Sequence, residues 1–304
     1  MSRSLRSRLI PVPLAALLAV SWSAAPDPTP EPRNPDLMRS VVLKVPGMER
    51  VRVRRDLVYE RVEGAELRAD VYLPAEAGGP PPPVLVLQAG GGSDDTKEWE
   101  IYRSLGRLFA ASGVAAVPFN HRLGFPKRRY EEGAQDLREL LGMLRRDSRA
   151  LGIDASRIAV AAFSGGGPML SPLLRGGAPG VRCLLGFYPF LDTDHVKLDE
   201  AGVTPEVAQR YSPRDAIAAT PGEPLPFFIA RAGRDQIPGV DDSIDRFVAE
   251  ALRRNWPITV VNHPAGSHGF EHREDDARTR EILRMAIAFV RLHLGVEGEY
   301  ISSR

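Results

Sequence analysis

The chain has 304 residues, 43% of them hydrophobic, with 40 basic against 39 acidic side chains and a formal net charge of +1. That length and apolar content can bury a large core, and an α/β fold of this size is commonly one domain. The balanced, interspersed charge leaves no whole-chain field to draw nucleic acid or an anionic membrane, and the lone Cys183, set in the apolar run 181–187, excludes an intramolecular disulfide and reads as a buried, inert side chain.

At the N-terminus Arg3, Arg6 and Arg8 precede an apolar stretch, residues 9–20, and then Ser21-Trp22-Ser23-Ala24-Ala25. This is the layout of a secretory signal peptide over residues 1–23, with cleavage expected after Ser23. Pro11 and Pro13 interrupt the stretch, which is too short for a convincing membrane span. The expectation is therefore a secreted or periplasmic protein with no stable membrane association after cleavage; the alternative is an uncleaved membrane anchor. Residues 24–40 are Pro-rich and read as a disordered spacer, ahead of a folded domain over 41–295 and a tail over 296–304.

Within the domain, residues 51–59 and 66–72 are β-rich and separated by Glu63-Gly64, an antiparallel pair at a sheet edge. Residues 74–83, with four consecutive prolines, form a loop before the apolar run 84–87, which suits a strand covered on both faces. It leads into Gly90-Gly91-Gly92. Ile101, Leu105, Leu108 and Phe109 have helical spacing within 99–111, and 114–119 is a further buried strand. The basic run Lys127, Arg128, Arg129 reads as a solvated loop. Residues 130–151 carry Ala134, Leu137, Leu141 and Leu144 on one face and stop at Gly152, a long amphipathic helix. Strands then fall at 158–163, 181–187, 227–230 and 258–261, with helices to about residue 175, over 242–253 and over 276–294. Strands alternating with helices give an α/β fold, a mostly parallel central sheet with helices on both faces. Residues 191–222 form the one long connection, a small insertion whose helical piece, 205–210, is placed to roof a pocket.

Residues 158–167 read as strand, tight turn and helix start around Ser164, with Ala162 and Gly166 two positions to either side. Small residues there let strand and helix approach at a strained turn that holds a serine hydroxyl clear of the sheet. A serine becomes a nucleophile only beside a base, itself oriented by a third group, and in this architecture such groups follow the carboxyl ends of strands. His268 follows the last strand in a loop of small residues and is the expected base. His263 reads as a structural hydrogen-bonder, His272 as surface-exposed among Glu271, Arg273 and Glu274, and His121, His195 and His293 fall at the wrong stage of the chain. Asp235, just past the strand 227–230, is the expected acid. Asp241 and Asp242 read as caps of the next helix, and Asp192 and Asp194 are the weaker alternative. The backbone N–H of Gly165 and the loop containing Gly90 and Gly91 are the expected oxyanion donors.

The segments 84–92, 120–123 and 152–158, the turn at Ser164, Gly233-Arg234-Asp235 and Ser267-His268-Gly269-Phe270 together resemble the α/β-hydrolase superfamily over about residues 50–295. Within it they look most like the small esterases and dienelactone-hydrolase-type enzymes. The resemblance implies Ser164 as nucleophile, Asp235 as acid and His268 as base in hydrolysis of a small-molecule carboxylic ester, with no cofactor and no metal. Many members carry His-Gly-Gly-Gly at the oxyanion loop, where this chain has Gln88 or Ala89 in place of the histidine. Three rivals stand beside this reading: a metal-dependent hydrolase drawing on His263, His268 and His272 or on Asp192, Asp194 and His195; a non-catalytic binding protein on the same fold; and a peptidase.

Overall fold

Eight strands join in one sheet in the order β1-β2-β4-β3-β5-β6-β7-β8. The computed structural model describes residues 35–75, 79–90, 95–125, 127–176, 178–194, 196–219 and 224–297. The expected leader, the spacer up to residue 34 and the tail beyond residue 297 lie outside the described residues, as do Gly91, Gly92 and His195.

The first two strands, β1 (Arg52–Val62) and β2 (Ala65–Leu73), pair antiparallel, closed by Glu63 and Gly64 at φ 50° and 85°. Two positive φ values in succession give the loop a twist that matches that of its strands. The outer strand β1 is rich in arginine, which suits an exposed edge. From β3 (Pro83–Gln88) through β4 (Ala115–Pro118), β5 (Asp154–Phe163), β6 (Val181–Phe187), β7 (Phe227–Ala232) and β8 (Ile258–His263), neighbours pair parallel. All six residues of β3 are buried, as a continuous apolar run requires when helices cover both faces.

Those helices are α1 (Glu100–Ala111), α2 (Tyr130–Arg146), α3 (Ser148–Leu151), α4 (Ser171–Gly176), α5 (Leu198–Ala201), α6 (Pro205–Arg210), α7 (Pro213–Ala219), α8 (Val240–Arg253), α9 (Phe270–Arg273) and α10 (Ala277–His293). α1 and α10 lie on one side, tied where Arg291 Nη1 donates to the Ser112 carbonyl at 2.6 Å. α2, α4, α7 and α8 follow one another across the other side. Ile101, Leu105, Leu108 and Phe109 of α1 are all buried, each contributing roughly 1.5–3 kcal/mol of hydrophobic stabilisation.

Besides strand ends that shift by a few residues, the structure departs from the sequence reading in three places. The expected helix over 130–151 breaks at Asp147 into α2 and the single turn α3. The stretch after β5 opens as a 3-10 helix, Ser164–Leu170, before α4, because Pro168 removes a backbone donor and close glycine contacts tighten the turn. The N-cap of α8 is Gly239 at φ 85°, and Asp241 and Asp242 sit in its first turn instead of capping it.

In the order β4-β3-β5 the chain leaves β3 toward one side for β4 and returns on the other for β5. The loops after β3 and β5 therefore part, opening a crevice at the carboxyl ends of the strands.

Candidate active site

Ser164 stands at the head of that crevice, directly after β5, with φ 51°. A non-glycine residue in the left-handed region is strained, and the surrounding backbone has to hold it there. The strand and turn leave no room for slack. A Cβ on Gly166 would come within 2.8 Å of the Ala89 carbonyl oxygen, and one on Gly167 within 2.0 Å of that of Phe190. Two residues before the serine, the methyl of Ala162 is tolerated: it is fully buried, paired in register with Gly186, which has no side chain to compete for the space.

His268 reaches the serine from the loop after β8. Its Nε2 lies 2.9 Å from Ser164 Oγ and its Nδ1 2.7 Å from Asp235 Oδ2. A carboxylate can only accept, so Nδ1–H donates to Asp235, which leaves Nε2 unprotonated to accept the serine hydroxyl. Asp235 follows β7 and its side chain is fully buried; Oδ1 accepts the Ile237 N–H at 2.8 Å, which fixes the carboxylate plane. The sequence reading thus named all three members of this chain of hydrogen bonds. The Tyr188 ring packs on His268 at 4.3 Å between centroids and braces the imidazole from one side.

Gly90 lies against the elbow. A Cβ there would fall 2.4 Å from the Phe163 carbonyl oxygen and 2.9 Å from the Gly165 nitrogen, so only glycine allows this approach. Gly165 and Gly90 therefore bring their backbones together beside Ser164; Gly91, the other expected donor, lies outside the described residues. Burial pushes the Tyr102 phenol up, reinforced by Glu271, while the Gly90 backbone beside it pulls the other way.

These groups line a cavity of about 670 Å³ whose walls include Trp99, Phe125, Tyr130 and Phe190. Val196 and Ala201 contribute from the insertion between β6 and β7, whereas the expected roof, α6, is not among the lining residues.

Other candidates have other work. Asp192 is fully buried and held by Arg246 at 2.7 Å, and Asp194 pairs with Arg214 at 2.7 Å, so both anchor the insertion instead of meeting His268. Asp241 pairs with Arg231 at 3.4 Å. His121 is buried against Phe119 with ring centroids 5.3 Å apart, and His293 packs on Phe289 at 4.3 Å. His263 is the structural hydrogen-bonder expected, 3.0 Å from Thr279 Oγ1.

The reading of His272 is corrected. It is buried, with Nδ1 3.0 Å from Glu271 Oε1, which also accepts the Tyr188 hydroxyl at 2.5 Å. Burial alone works against the Glu271 carboxylate, yet the imidazole charge and these hydrogen bonds outweigh it and hold its pKa below the ordinary value. Arg128, expected in a solvated loop, is also corrected: it lies half-buried on the cavity wall. Nothing in a Lys-Arg-Arg run points inward; the flanking Phe125 and Tyr130 were the available signal.

The histidine trio of the metal-dependent reading does not assemble. His268 faces serine and aspartate, and His272 faces Glu271. Among the described residues the grouped ligand atoms are those of His263, Glu274 and Asp276, within 4.8 Å of one another. Glu274 there accepts from the Ser267 N–H at 2.8 Å, and Asp276 caps α10 by accepting the Thr279 N–H at 2.7 Å, so the group ties down the loop that carries His268.

The BD-FAE family model matches residues 69–175. No curated protein matches the sequence significantly. Among solved structures, apo esterase 2 of Thermogutta terrifontis superposes with a TM-score of 0.66 at 20% identity, covering 84% of this chain and 98% of that one. The same esterase phosphoramylated by tabun gives 0.65 at 19% identity, with 84% and 98% covered. Esterase B from Lactobacillus rhamnosis, described with a tributyrin phosphonate, gives 0.64 at 16% identity, with 80% and 87% covered. These likenesses establish the fold, and they do not single out the dienelactone-hydrolase-type branch.

Proposed function

We propose that this chain, which has the α/β-hydrolase fold, is a serine hydrolase of small-molecule carboxylic esters. The observation that carries the reading is the unbroken series Ser164 Oγ, His268 Nε2, His268 Nδ1, Asp235 Oδ2, with 2.9 and 2.7 Å links, whose Ser164 and His268 line a cavity walled in part by aromatic side chains. The covalently modified and inhibited esterases among its structural neighbours support the same chemistry.

In this reading Ser164 Oγ attacks the ester carbonyl as His268 takes its proton, and Asp235 stabilises the imidazolium that forms. The oxygen of the tetrahedral intermediate is received by the Gly165 N–H together with the glycine loop after β3, Gly90 or Gly91 supplying the second donor. Collapse of the intermediate expels the alcohol, which takes the proton from His268. A water molecule then adds to the acyl-enzyme by the same route and releases the acid. We further propose export: the arginine-flanked apolar leader supports cleavage after Ser23, a spacer to residue 40 and a catalytic domain over 41–295.

Replacement of Ser164 by alanine abolishes turnover of 4-nitrophenyl butyrate while the melting temperature stays nearly unchanged. Mass spectrometry of protein treated with an organophosphate places the adduct on the peptide containing Ser164; an adduct elsewhere would sink the assignment.

A further inference from the structure

The charged side chains on the cavity wall each have a partner of opposite charge or an imidazole among the described residues, with one exception. Asp192 is held by Arg246 and, at 3.6 Å, by Arg214. Glu271 has Tyr188 and His272. Arg273 donates to the His268 carbonyl at 2.8 Å and pairs with Asp36 at 3.1 Å. Arg128 has no carboxylate partner among the described residues. Its Nη1 donates to two neutral acceptors, the carbonyls of Gly90 at 3.1 Å and Gly124 at 3.0 Å, and its Cζ lies 4.9 Å over the Phe125 ring. Its backbone is fixed as well, the Arg128 N–H donating to the Ala201 carbonyl at 2.8 Å.

The guanidinium also stands where the chemistry is proposed to happen. A Cβ on Gly165 would fall 2.8 Å from Nη2 and 3.1 Å from Nη1. Of five N–H donors, those on Nη2 and Nε have no partner among the described residues. Partial burial of a full positive charge against two neutral carbonyls is expensive, and the same burial draws the Arg128 pKa below its ordinary value, opposed by Tyr130. An oxyanion on the substrate would restore what burial removes, and the planar fork of arginine suits that geometry better than an ammonium would.

We propose that Arg128 is a specificity-determining residue: it receives a carboxylate carried by the ester substrate, so that the preferred substrates are esters bearing a negative charge near the scissile bond. The proposal rests on the serine-esterase reading above. It goes beyond holding the glycine loop, which the bond to the Gly90 carbonyl already achieves.

Two matched pairs of esters test it and distinguish the side on which the charge sits. Mono-4-nitrophenyl adipate and its methyl ester vary charge on the acyl group; 4-acetoxybenzoate and methyl 4-acetoxybenzoate vary it on the leaving group. The readout is the charged-to-neutral ratio of kcat/KM in the wild type, Arg128→Gln and Arg128→Lys. In one pair the ratio falls by about tenfold or more in Arg128→Gln, the scale of one lost charge-assisted hydrogen bond, and Arg128→Lys keeps part of it. A ratio unmoved by both substitutions, with charged and neutral esters slowed equally, overturns the proposal and leaves Arg128 as a clamp on the loop. If none of the four esters turns over, the esterase reading fails on its own account. The binding site is then decided in Ser164→Ala by the rise in melting temperature that adipate gives: it disappears when Arg128→Gln is added, and its absence before that addition refutes the site.

Discussion

Asparagine in place of Asp235 changes one atom and reverses the direction of a hydrogen bond. In the wild type Oδ1 accepts the Ile237 N–H at 2.8 Å while Oδ2 lies 2.7 Å from His268 Nδ1. An amide at this position keeps its oxygen on the Ile237 N–H, since the opposite orientation would set two donors face to face. Its NH₂ then points at Nδ1, which becomes an acceptor and forces the imidazole proton onto Nε2. That nitrogen faces Ser164 Oγ and no longer accepts its proton. The Asp235 side chain is fully buried, so no water restores the original tautomer from that side. Asp235→Asn is therefore expected to lower kcat by about 10⁴, equivalent to about 5.5 kcal/mol of transition-state stabilisation, while the nearly isosteric side chain leaves the melting temperature close to that of the wild type. Asp241→Asn is the control: that residue lies in the first turn of α8, paired with Arg231 at 3.4 Å, and its replacement costs about 1 kcal/mol of stability or less with little effect on kcat. Steady-state hydrolysis of 4-nitrophenyl butyrate and thermal unfolding of both variants supply the comparison. A large kcat loss in Asp241→Asn with near-normal Asp235→Asn turnover would refute the triad acid.

Burial, assisted by the nearby Arg128 charge, pushes the His121 imidazole down to about 4, whereas in the unfolded chain it titrates near 6.5. Between those values the unfolded state binds the extra proton, so stability present above pH 6.5 is lost as pH falls toward 4, by up to about 3 kcal/mol. Urea unfolding at pH 4.5 and 7 should show a shallower pH dependence in His121→Gln than in the wild type; equal slopes would remove His121 from the acid limb. Extended dialysis against a chelator leaves ester turnover intact, and activity lost that way and restored by a divalent metal would revive the metal-dependent reading. Expression in an exporting bacterial host yields a mature chain beginning near Ala24, and full-length chain found only in the membrane fraction would mean an anchor instead.

The parallel strands were legible because burial on both faces writes them as short apolar runs, as in β3 and β6, and the hydrogen-bonded series of Ser164, His268 and Asp235 because each member follows a strand. What stayed hidden depended on contacts distant in sequence. His272 sits among Glu271, Arg273 and Glu274, a local pattern that reads as surface, yet Phe270 is fully buried beside it and the Glu271 carbonyl accepts the Val42 N–H at 2.9 Å, drawing the whole turn inward. The break at Asp147 leaves no mark on the apolar spacing, since Leu144 and Leu151 are both buried across it. Asp241 and Asp242 looked like caps because acids favour a helix start; the turn at Gly239 takes the cap position and leaves them the milder role of opposing the helix dipole.

The glycine loop bears on the binding-protein alternative. By sequence, Gln88 or Ala89 stands where the His-Gly-Gly-Gly pattern has its histidine, a departure on which the binding-protein alternative can draw. In the fold Gln88 is fully buried and its Nε2 donates to the neighbouring Ala89 carbonyl at 3.2 Å, so it does not reach across to brace the loop from another element. That bracing comes from two other places. Arg128, from the connection between β4 and α2, holds the Gly90 carbonyl, and the elbow itself packs so tightly that a Cβ on Gly165 would fall 2.2 Å from the same oxygen. Preorganisation of the donors requires that their backbone be held, and any group that holds it serves. Loss of the histidine is thus a change in which residue fixes the loop, and it supplies no argument that turnover has been lost.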